Sequence, residues 1–447
     1  MFPNDAVFKF ENQIKSFGRP KSLDSAGVMK IDLVEKINYV FSSGERQKMI
    51  QDQRGLSRKA ILDAIRSAGR IARIDVAQAT GISQATVTTV TAEMLRDGLI
   101  EEIAAPASDR GTKRGRPRVD LAIRGQAHLV AGVKVAHDTL SIALMDFAGE
   151  LIGEYETPLS ASVLSSADMA GELRIALEAA LDKYAMPYSR LSGVGIGLAG
   201  FIDASRGFVH WSPSLTERNI PLQDIISEKI EVPVFIDNDA NLVAVAEQYF
   251  GRGTEHTDFI VVTIESGVGM GIVLNGQLYR GDRGCGAEFG HTKVQLDGAM
   301  CRCGQRGCLE AYVADYAIER EAAISAPHIE ENDRRVATVL QAAKDGDEAA
   351  LKIVNRAGRM FAMGLANLVN VFDPQLIILA GERMQFDHLF EESVFEDVRR
   401  QVVHVDLPPP EIVTHKWGDL MWAKGAAAYA IDQVAERSLR EIGENAG

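Results

Sequence analysis

Residues 288–310 read EFGHTKVQLDGAMCRCGQRGCLE, which places His291 a short loop ahead of Cys301, Cys303 and Cys308, with Glu288 and Glu310 at the two ends. One imidazole and three thiolates form a complete tetrahedral ligand set for Zn2+, and a four-ligand set that leaves no position for water is structural, not catalytic. Gly304 and Gly307 suit a loop that must turn tightly around an ion. The alternatives are a disulfide or buried, inert thiols. The chain has four cysteines in 447 residues, and three of them fall within 301–308. Cys301 and Cys303 stand too close to bridge comfortably, and in a reducing compartment clustered cysteines favour metal over disulfide. Cys285 lies outside the pattern and reads as a packed thiol.

Length and composition set the frame around this stretch. A chain of 447 residues with 46% hydrophobic and 25% charged residues has room for about three globular domains. The N-terminal MFPNDAVFKFENQ has no apolar leader core, and no apolar run reaches membrane-spanning length, so a cytoplasmic location without membrane insertion is expected. Net charge is −14, but residues 1–124 carry 21 Lys+Arg against 15 Asp+Glu, so the acidity belongs to the remainder. A basic head on an acidic body is the distribution expected when a small module meets nucleic acid and a large one does not.

Residues 1–52 read as an extension with one helix near Ile31–Phe41. Residues 53–124 read as a helix-turn-helix with a wing. Ser57 is expected to cap a first helix carrying Ile61, Leu62 and Ile65 and ended by Gly69. A short helix follows at Arg73–Ala79, then a turn at Thr80–Ile82. Ser83 caps a third helix whose Val87, Val90 and Met94 recur at helical spacing and face inward. Ser83, Gln84, Thr86, Thr88 and Thr89 then lie in its first turns, where base edges are read; Gln suits adenine, and Thr suits bases or the thymine methyl. A plain three-helix bundle would also present polar residues there. Ser108–Arg118, SDRGTKRGRPR, sits between two short strands as a basic wing loop. Its Arg114-Gly115-Arg116-Pro117 core is similar to the AT-hook, which suits a narrow A·T minor groove. Arg110, Lys113, Arg114 and Arg116 are the phosphate and groove candidates, because the third helix has no Lys or Arg before Arg96. A solvated basic linker is the bland alternative.

From residue 127 to 447 strands alternate with helices. Strands are expected at Leu129–Val135, Leu140–Asp146, Leu151–Tyr155 and Gly193–Leu198, with a helix near Ala167–Tyr184. Val234–Ile236 is another strand and delivers Asp237-Asn238-Asp239-Ala240-Asn241 at its C-terminal end, where α/β folds hold ligands. A second β-rich run spans Phe259–Leu278, and further helices flank a strand at Leu376–Leu379. Two similar βββαβ openings indicate two related lobes with a cleft between them.

The AEFGH and C-x-C-G-x-x-G-C-L-E strings, the NDAN turn and the run GVGMGIVLNGQLYRG together resemble the ROK family of sugar kinases and repressors. With the head in front, the chain is similar to its repressor branch, the N-acetylglucosamine and xylose repressors. The resemblance covers Ser57 to the C-terminus. It implies an α/β body of two actin-like, ribonuclease H-like lobes preceded by an all-α winged helix-turn-helix domain. It also implies a sugar or amino-sugar pocket lined by Asn238, Asp239, Glu288, His291 and Glu310, and structural Zn2+ on His291, Cys301, Cys303 and Cys308. Carboxylates accept paired hydrogen bonds from neighbouring hydroxyls, which fits such a pocket; Glu288 and Glu310 could instead support the metal loop.

Asp239 matches the general base of the family's kinases. Their Asp-x-Gly-Gly-Thr phosphate loop, however, is replaced here by Lys134-Val135-Ala136-His137-Asp138-Thr139. Glu265-Ser266 and Ala380-Gly381-Glu382 depart from the other nucleotide elements. The expectation is therefore a non-enzymatic, sugar-responsive repressor that binds an operator as a homodimer or homotetramer, with a sugar-transport protein as a further candidate partner. The alternative is an ATP-dependent sugar kinase with an accessory head.

Overall fold

The computed structural model describes residues 43–104, 119–264, 266–329, 336–381, 392–403, 408–415 and 420–445, with side chains described from Arg54 to Glu444. The helix expected at Ile31–Phe41 and the wing loop with Arg110, Lys113, Arg114 and Arg116 lie outside these residues, as do Glu265 and Glu382. The chain divides into two compact units, Met1–Ser57 and Arg58–Gly447, and the second carries both lobes and nearly all of the head.

The first helix spans Ser43–Ala68. Ser57 therefore lies inside it and does not begin it. The preceding residues are mostly good helix formers, and Gly44 and Gly55 among them weaken a helix without stopping it. Gly69, at φ +65°, ends it as expected. Helices Arg73–Thr80 and Gln84–Arg96 follow, joined through Gly81 in the left-handed conformation. The wing strands β2 (Ile100–Ala104) and β3 (Val119–Ile123) form, and a third strand, β1 (Ile71–Ala72), pairs antiparallel with β3. The head is thus helical with a three-stranded sheet in the order β1-β3-β2. Two residues of strand are too few to leave a periodic signature.

In the first lobe β4 (Leu129–Val135), β5 (Thr139–Asp146) and β6 (Leu151–Pro158) are antiparallel neighbours. The helix Ser166–Lys183 then carries the chain across to β7 (Leu191–Leu198), which lies parallel to β4. A small ribbon, β8 (Phe201–Asp203) with β9 (Phe208–Trp211), precedes β10 (Val234–Asn238), and the sheet order is β10-β7-β4-β5-β6. The second lobe comprises β11 (Phe259–Ile264), β12 (Val268–Leu274), β13 (Gln277–Tyr279), β14 (Leu376–Ala380) and β15 (Glu411–Thr414), ordered β13-β12-β11-β14-β15. Strand for strand the two orders correspond, so the lobes share one topology: a three-strand meander whose first strand gains parallel neighbours through crossovers.

Every residue of β4 is buried, and alternation along it assigns two faces. Leu129, Ala131, Val133 and Val135 pack with Leu173, Leu177 and Leu181 of the helix Ser166–Lys183. Val130 faces the C-terminal helix Met421–Asn445 instead, together with Ala423, Ala427 and Ala430. That same cluster contains Ile61, Leu62, Ile65, Val87 and Met94 of the head. One hydrophobic core therefore continues from the helix-turn-helix into the first lobe, with the C-terminal helix as its spine.

Candidate functional site

Residues 288–310 are closed by backbone bonds at three levels: Leu309 N–H donates to the Thr292 carbonyl at 2.9 Å, Val294 N–H to Gly307 at 2.9 Å and Cys301 N–H to Gln305 at 2.8 Å. Gly307 holds φ +76°, and a Cβ there would lie 1.7 Å from the Gln295 carbonyl oxygen, so no other residue fits. This folding brings one donor atom each from His291, Cys301, Cys303 and Cys308 within 4.8 Å of one another. Cys303 Sγ and Cys308 Sγ are 3.7 Å apart, as are Cys301 Sγ and His291 Nδ1. With metal–sulfur bonds of about 2.3 Å, the edges of a tetrahedral site come to about 3.8 Å. The chemistry and the spacing of the donor set fit a tetrahedral ion such as zinc.

His291 presents Nδ1 to this cluster and turns Nε2 towards Glu288, whose Oε2 is 4.0 Å away. Glu310 faces both ways. Its Oε1 accepts from the Tyr316 hydroxyl at 3.2 Å and from the Cys301 thiol at 3.4 Å, and its Oε2 accepts from Val268 N–H at 3.4 Å. Glu310 thus supports the cysteine loop with one oxygen and the glycine strand β12 with the other. Desolvation in the cleft, with the Asp239 and Glu310 carboxylates nearby, pushes Glu288 up to about 7 against the pull of His291.

On the opposite side, β10 ends at Asn238, which caps the helix Asp239–Phe250. Asn238 Oδ1 accepts from Ala240 N–H at 2.9 Å, while Nδ2 donates to the Gly200 carbonyl at 3.0 Å. The Asn238 side chain is committed to holding the turn. Asp239 accepts from Ala240 N–H with Oδ1 at 2.9 Å. Burial pushes its carboxyl above the usual carboxylate range, and the nearby Lys134 ammonium opposes that shift. The Asp239 and Glu310 carboxylates both act to raise the Glu288 pKa, so the three groups lie within electrostatic reach of one another. Phe201 of the first lobe stands 6.0 Å from the His291 ring of the second, centroid to centroid, and 5.6 Å from Trp211, so an aromatic contact joins the lobes beside His291. Sequence reasoning passed over Phe201 and Trp211, because isolated aromatics in a strand read as core.

Near the end of β4, Lys134 is only 5% exposed and places Nζ 3.8 Å over the Trp422 ring. Ala136 N–H donates to the Thr139 carbonyl at 2.9 Å and closes a tight hairpin. The late Gly381 holds φ +153°, and a Cβ there would meet the Ile264 carbonyl at 2.5 Å. In the head, Gln84, Thr86, Thr88 and Thr89 are exposed and Val87, Val90 and Met94 buried. Ser83, also exposed, accepts from Thr86 N–H at 3.2 Å as the cap. The Thr88 and Thr89 hydroxyls donate back to the carbonyls of Gln84 and Ala85 at 2.7 and 3.1 Å.

A profile described as "ROK family" matches residues 130–433. The chain belongs to the ROK family. A second profile, "Winged helix-turn-helix DNA-binding", matches residues 56–101. Among ROK relatives the chain is similar to the "Xylose repressor" of Caldicellulosiruptor bescii, 28% identical over 378 residues that cover 81% of this chain and 92% of that one. Among solved structures it is similar to a ROK family transcriptional regulator described as a homolog of the E. coli MLC protein, with TM-score 0.73 and 25% identity over 88% of this chain and 99% of that one. A ROK family glucokinase from Streptomyces griseus, solved with glucose and AMPPNP, aligns with TM-score 0.59 and 27% identity over 68% of this chain and 99% of its own. The regulator match extends further along this chain than the kinase match. Among the described residues no helix is long and apolar enough to cross a membrane.

Proposed function

We propose that the chain is a sugar-responsive DNA-binding regulator, a repressor of carbohydrate uptake or catabolic genes, whose kinase-like body binds sugar without phosphorylating it. The observation that carries this reading is the single core joining a winged helix-turn-helix to a ROK body. Residues 53–124 form the DNA-binding head and 127–447 the sugar-binding body. In the head, Gln84, Thr86, Thr88 and Thr89 read bases, Ser83 sets the start of their helix, and the wing residues Arg110, Lys113, Arg114 and Arg116 hold phosphate and the minor groove. In the body, Asp239, Glu288 and Glu310 accept hydrogen bonds from sugar hydroxyls, His291 Nε2 meets another hydroxyl, and Asn238 sets the turn. Zinc on His291, Cys301, Cys303 and Cys308 would fix the His291 tautomer and ring direction.

Against phosphoryl transfer stands Lys134. Its buried ammonium, stacked on Trp422, occupies the strand end where the family's phosphate loop would offer backbone amides. The head requires a partner copy, since half-sites lie one helical turn or a multiple of it apart; an even-numbered homo-oligomer is the reading, with a sugar-transport protein as a further candidate partner.

The experiment is fluorescence anisotropy of a labelled duplex from upstream of the chain's own gene, with D-xylose, D-glucose and N-acetyl-D-glucosamine titrated in. Sequence-specific binding altered by one of them is expected. Binding to no upstream fragment would sink the reading. Asp239 at the strand end favours the kinase alternative, so ADP release is measured with the same sugars; turnover lost in Asp239→Asn would establish a kinase.

A further inference from the structure

The turn that presents Asn238 and Asp239 is held from beneath by Asp237, a fully buried carboxylate. Its Oδ1 accepts from Asn238 N–H at 2.7 Å and Asn241 Nδ2 at 2.9 Å, and its Oδ2 from Arg280 Nε at 2.8 Å, with a terminal Arg280 nitrogen at 2.6 Å. Arg280 belongs to the other lobe, one residue past β13. It anchors the chain just before the segment leading to Glu288, since Gly286 N–H donates to the Arg280 carbonyl at 2.8 Å. Two guanidinium nitrogens converge on that one buried oxygen, and such a charge-assisted pair tolerates little change of geometry. Lobe movement around a ligand must therefore carry Arg280 with the turn or break the pair.

Arg280 also touches the spine of the shared core. Its guanidinium lies 5.3 Å from the centre of the Tyr429 ring on the C-terminal helix. One turn on, Asp432 accepts a hydrogen bond from the hydroxyl of the half-buried Tyr249 and lies 3.6 Å from both Arg66 and Lys59 of the first head helix. Two turns earlier on that same head helix, Arg58 pairs with Glu93 of the base-reading helix at 3.1 Å.

The junction between these parts is incompletely satisfied. The Arg66 side chain is 9% exposed and sits between the rings of Phe147 and Tyr249, at 5.1 and 5.8 Å. Among the described residues, its Nε and one terminal nitrogen have no hydrogen-bond partner. A buried cation with unmet donors is costly, and a small shift of the C-terminal helix that brought Asp432 into a two-pronged pair with Arg66 would relieve it. A second arrangement of this joint would supply the two-state element that coupling between distant sites requires.

We propose that sugar binding is communicated to the DNA-reading helix along this path, from Asp237 and Arg280 through the C-terminal helix to the Asp432–Arg66 joint, and from there to Arg58 and Glu93. The inference rests on the sugar-responsive reading above.

The test uses the full chain with Asp432→Asn and, in case that variant folds poorly, Arg66→Lys, which keeps the charge but loses the fork. Sugar affinity is measured by calorimetry with D-xylose, D-glucose and N-acetyl-D-glucosamine, and DNA affinity by anisotropy with and without the sugar that binds. Coupling of about 5- to 100-fold is the usual range for linked sites. In either variant the sugar-induced change in DNA affinity should fall to under about 2-fold, while sugar affinity measured without DNA stays within about 3-fold of wild type. A merely structural joint would lower thermal stability and leave the sugar-induced change intact, and that result overturns the proposal. A wild-type chain that binds sugar with no effect on DNA overturns the sugar-responsive reading and the path with it, whereas variants that keep the full sugar-induced change overturn the path alone. A chain that binds none of the three sugars overturns the sugar-responsive reading and the path with it.

Discussion

Replacing Gly132 with alanine tests whether the C-terminal helix is seated as closely on the first lobe as its contacts require. A Cβ at Gly132 of β4 would lie 2.0 Å from the Ala423 carbonyl oxygen and 2.2 Å from the Ala427 nitrogen, both backbone atoms of that helix. Real Cβ contacts essentially never fall below 3.0 Å, so helix and sheet must part by at least about 1 Å. Neither side can yield by a rotamer change. A gap of that size forfeits a quarter to a half of each dispersion contact along the seam, which holds Val130, Ala143, Ala423, Ala427 and Ala430. The expected cost is about 3 kcal/mol or more, which for a large domain lowers Tm by about 6 °C.

Gly171→Ala is the control. Gly171 lies within the helix Ser166–Lys183, and nothing stands within 4 Å of a Cβ placed there. That exchange should stabilise by about 0.5–1 kcal/mol through helix propensity. Differential scanning fluorimetry of the two variants beside wild type is the assay. Equal Tm values for Gly132→Ala and wild type would refute the close seating, and with it the C-terminal helix as a stiff connector.

His128 donates or accepts at both ring nitrogens, with the Ser192 hydroxyl at 2.9 Å and the Ser438 hydroxyl at 3.2 Å, and burial lowers its pKa. The unfolded chain then binds the proton more readily, so its stabilising share is complete above the unfolded value near 6.5 and is lost as pH falls through the lower folded one. Urea midpoints measured from pH 7.5 to 5 should fall less steeply for His128→Gln than for wild type; parallel slopes would show that His128 carries no share of the pH dependence. For the wing, Arg114→Ala with Arg116→Ala should weaken operator binding and reduce the log–log salt slope by about 2, whereas an unchanged slope means the loop meets no phosphate. Purified chain should carry about one zinc per protomer by elemental analysis, and Cys308→Ser should lose it together with thermal stability. Retention of a full equivalent of metal in Cys308→Ser would exclude Cys308 as a ligand.

Much of this architecture can be read locally. β3 and β4 follow directly from runs of apolar residues at Val119–Ile123 and Leu129–Val135 between turn signals, and the helix Gln84–Arg96 from its Ser83 cap and its Val87, Val90, Met94 spacing. The four donors of the cysteine loop needed no fold, because ligands within one short segment are brought together by that segment's own turns. β1 and the early start of the helix Ser43–Ala68 were not legible in this way. A two-residue strand exists only because β3 lies beside it, and a helix runs past a tolerated glycine when nothing better competes.

What the sequence by itself determined was much that neighbours along the chain make: the donor set, the Ser83 cap, the alternation of strands and helices, and the departure of residues 134–139 from the family's phosphate-loop pattern. What only the tertiary structure decided was which distant side chains share a charge or a core. Lys134 over Trp422, Arg280 on Asp237, Phe201 facing His291 and Arg66 beside Asp432 join residues from 43 to 366 positions apart, across two lobes or between head and body. No periodicity records such pairs. A buried charge finds its partner only when the intervening elements have packed, because only then does losing water make that one contact worth more than solvent.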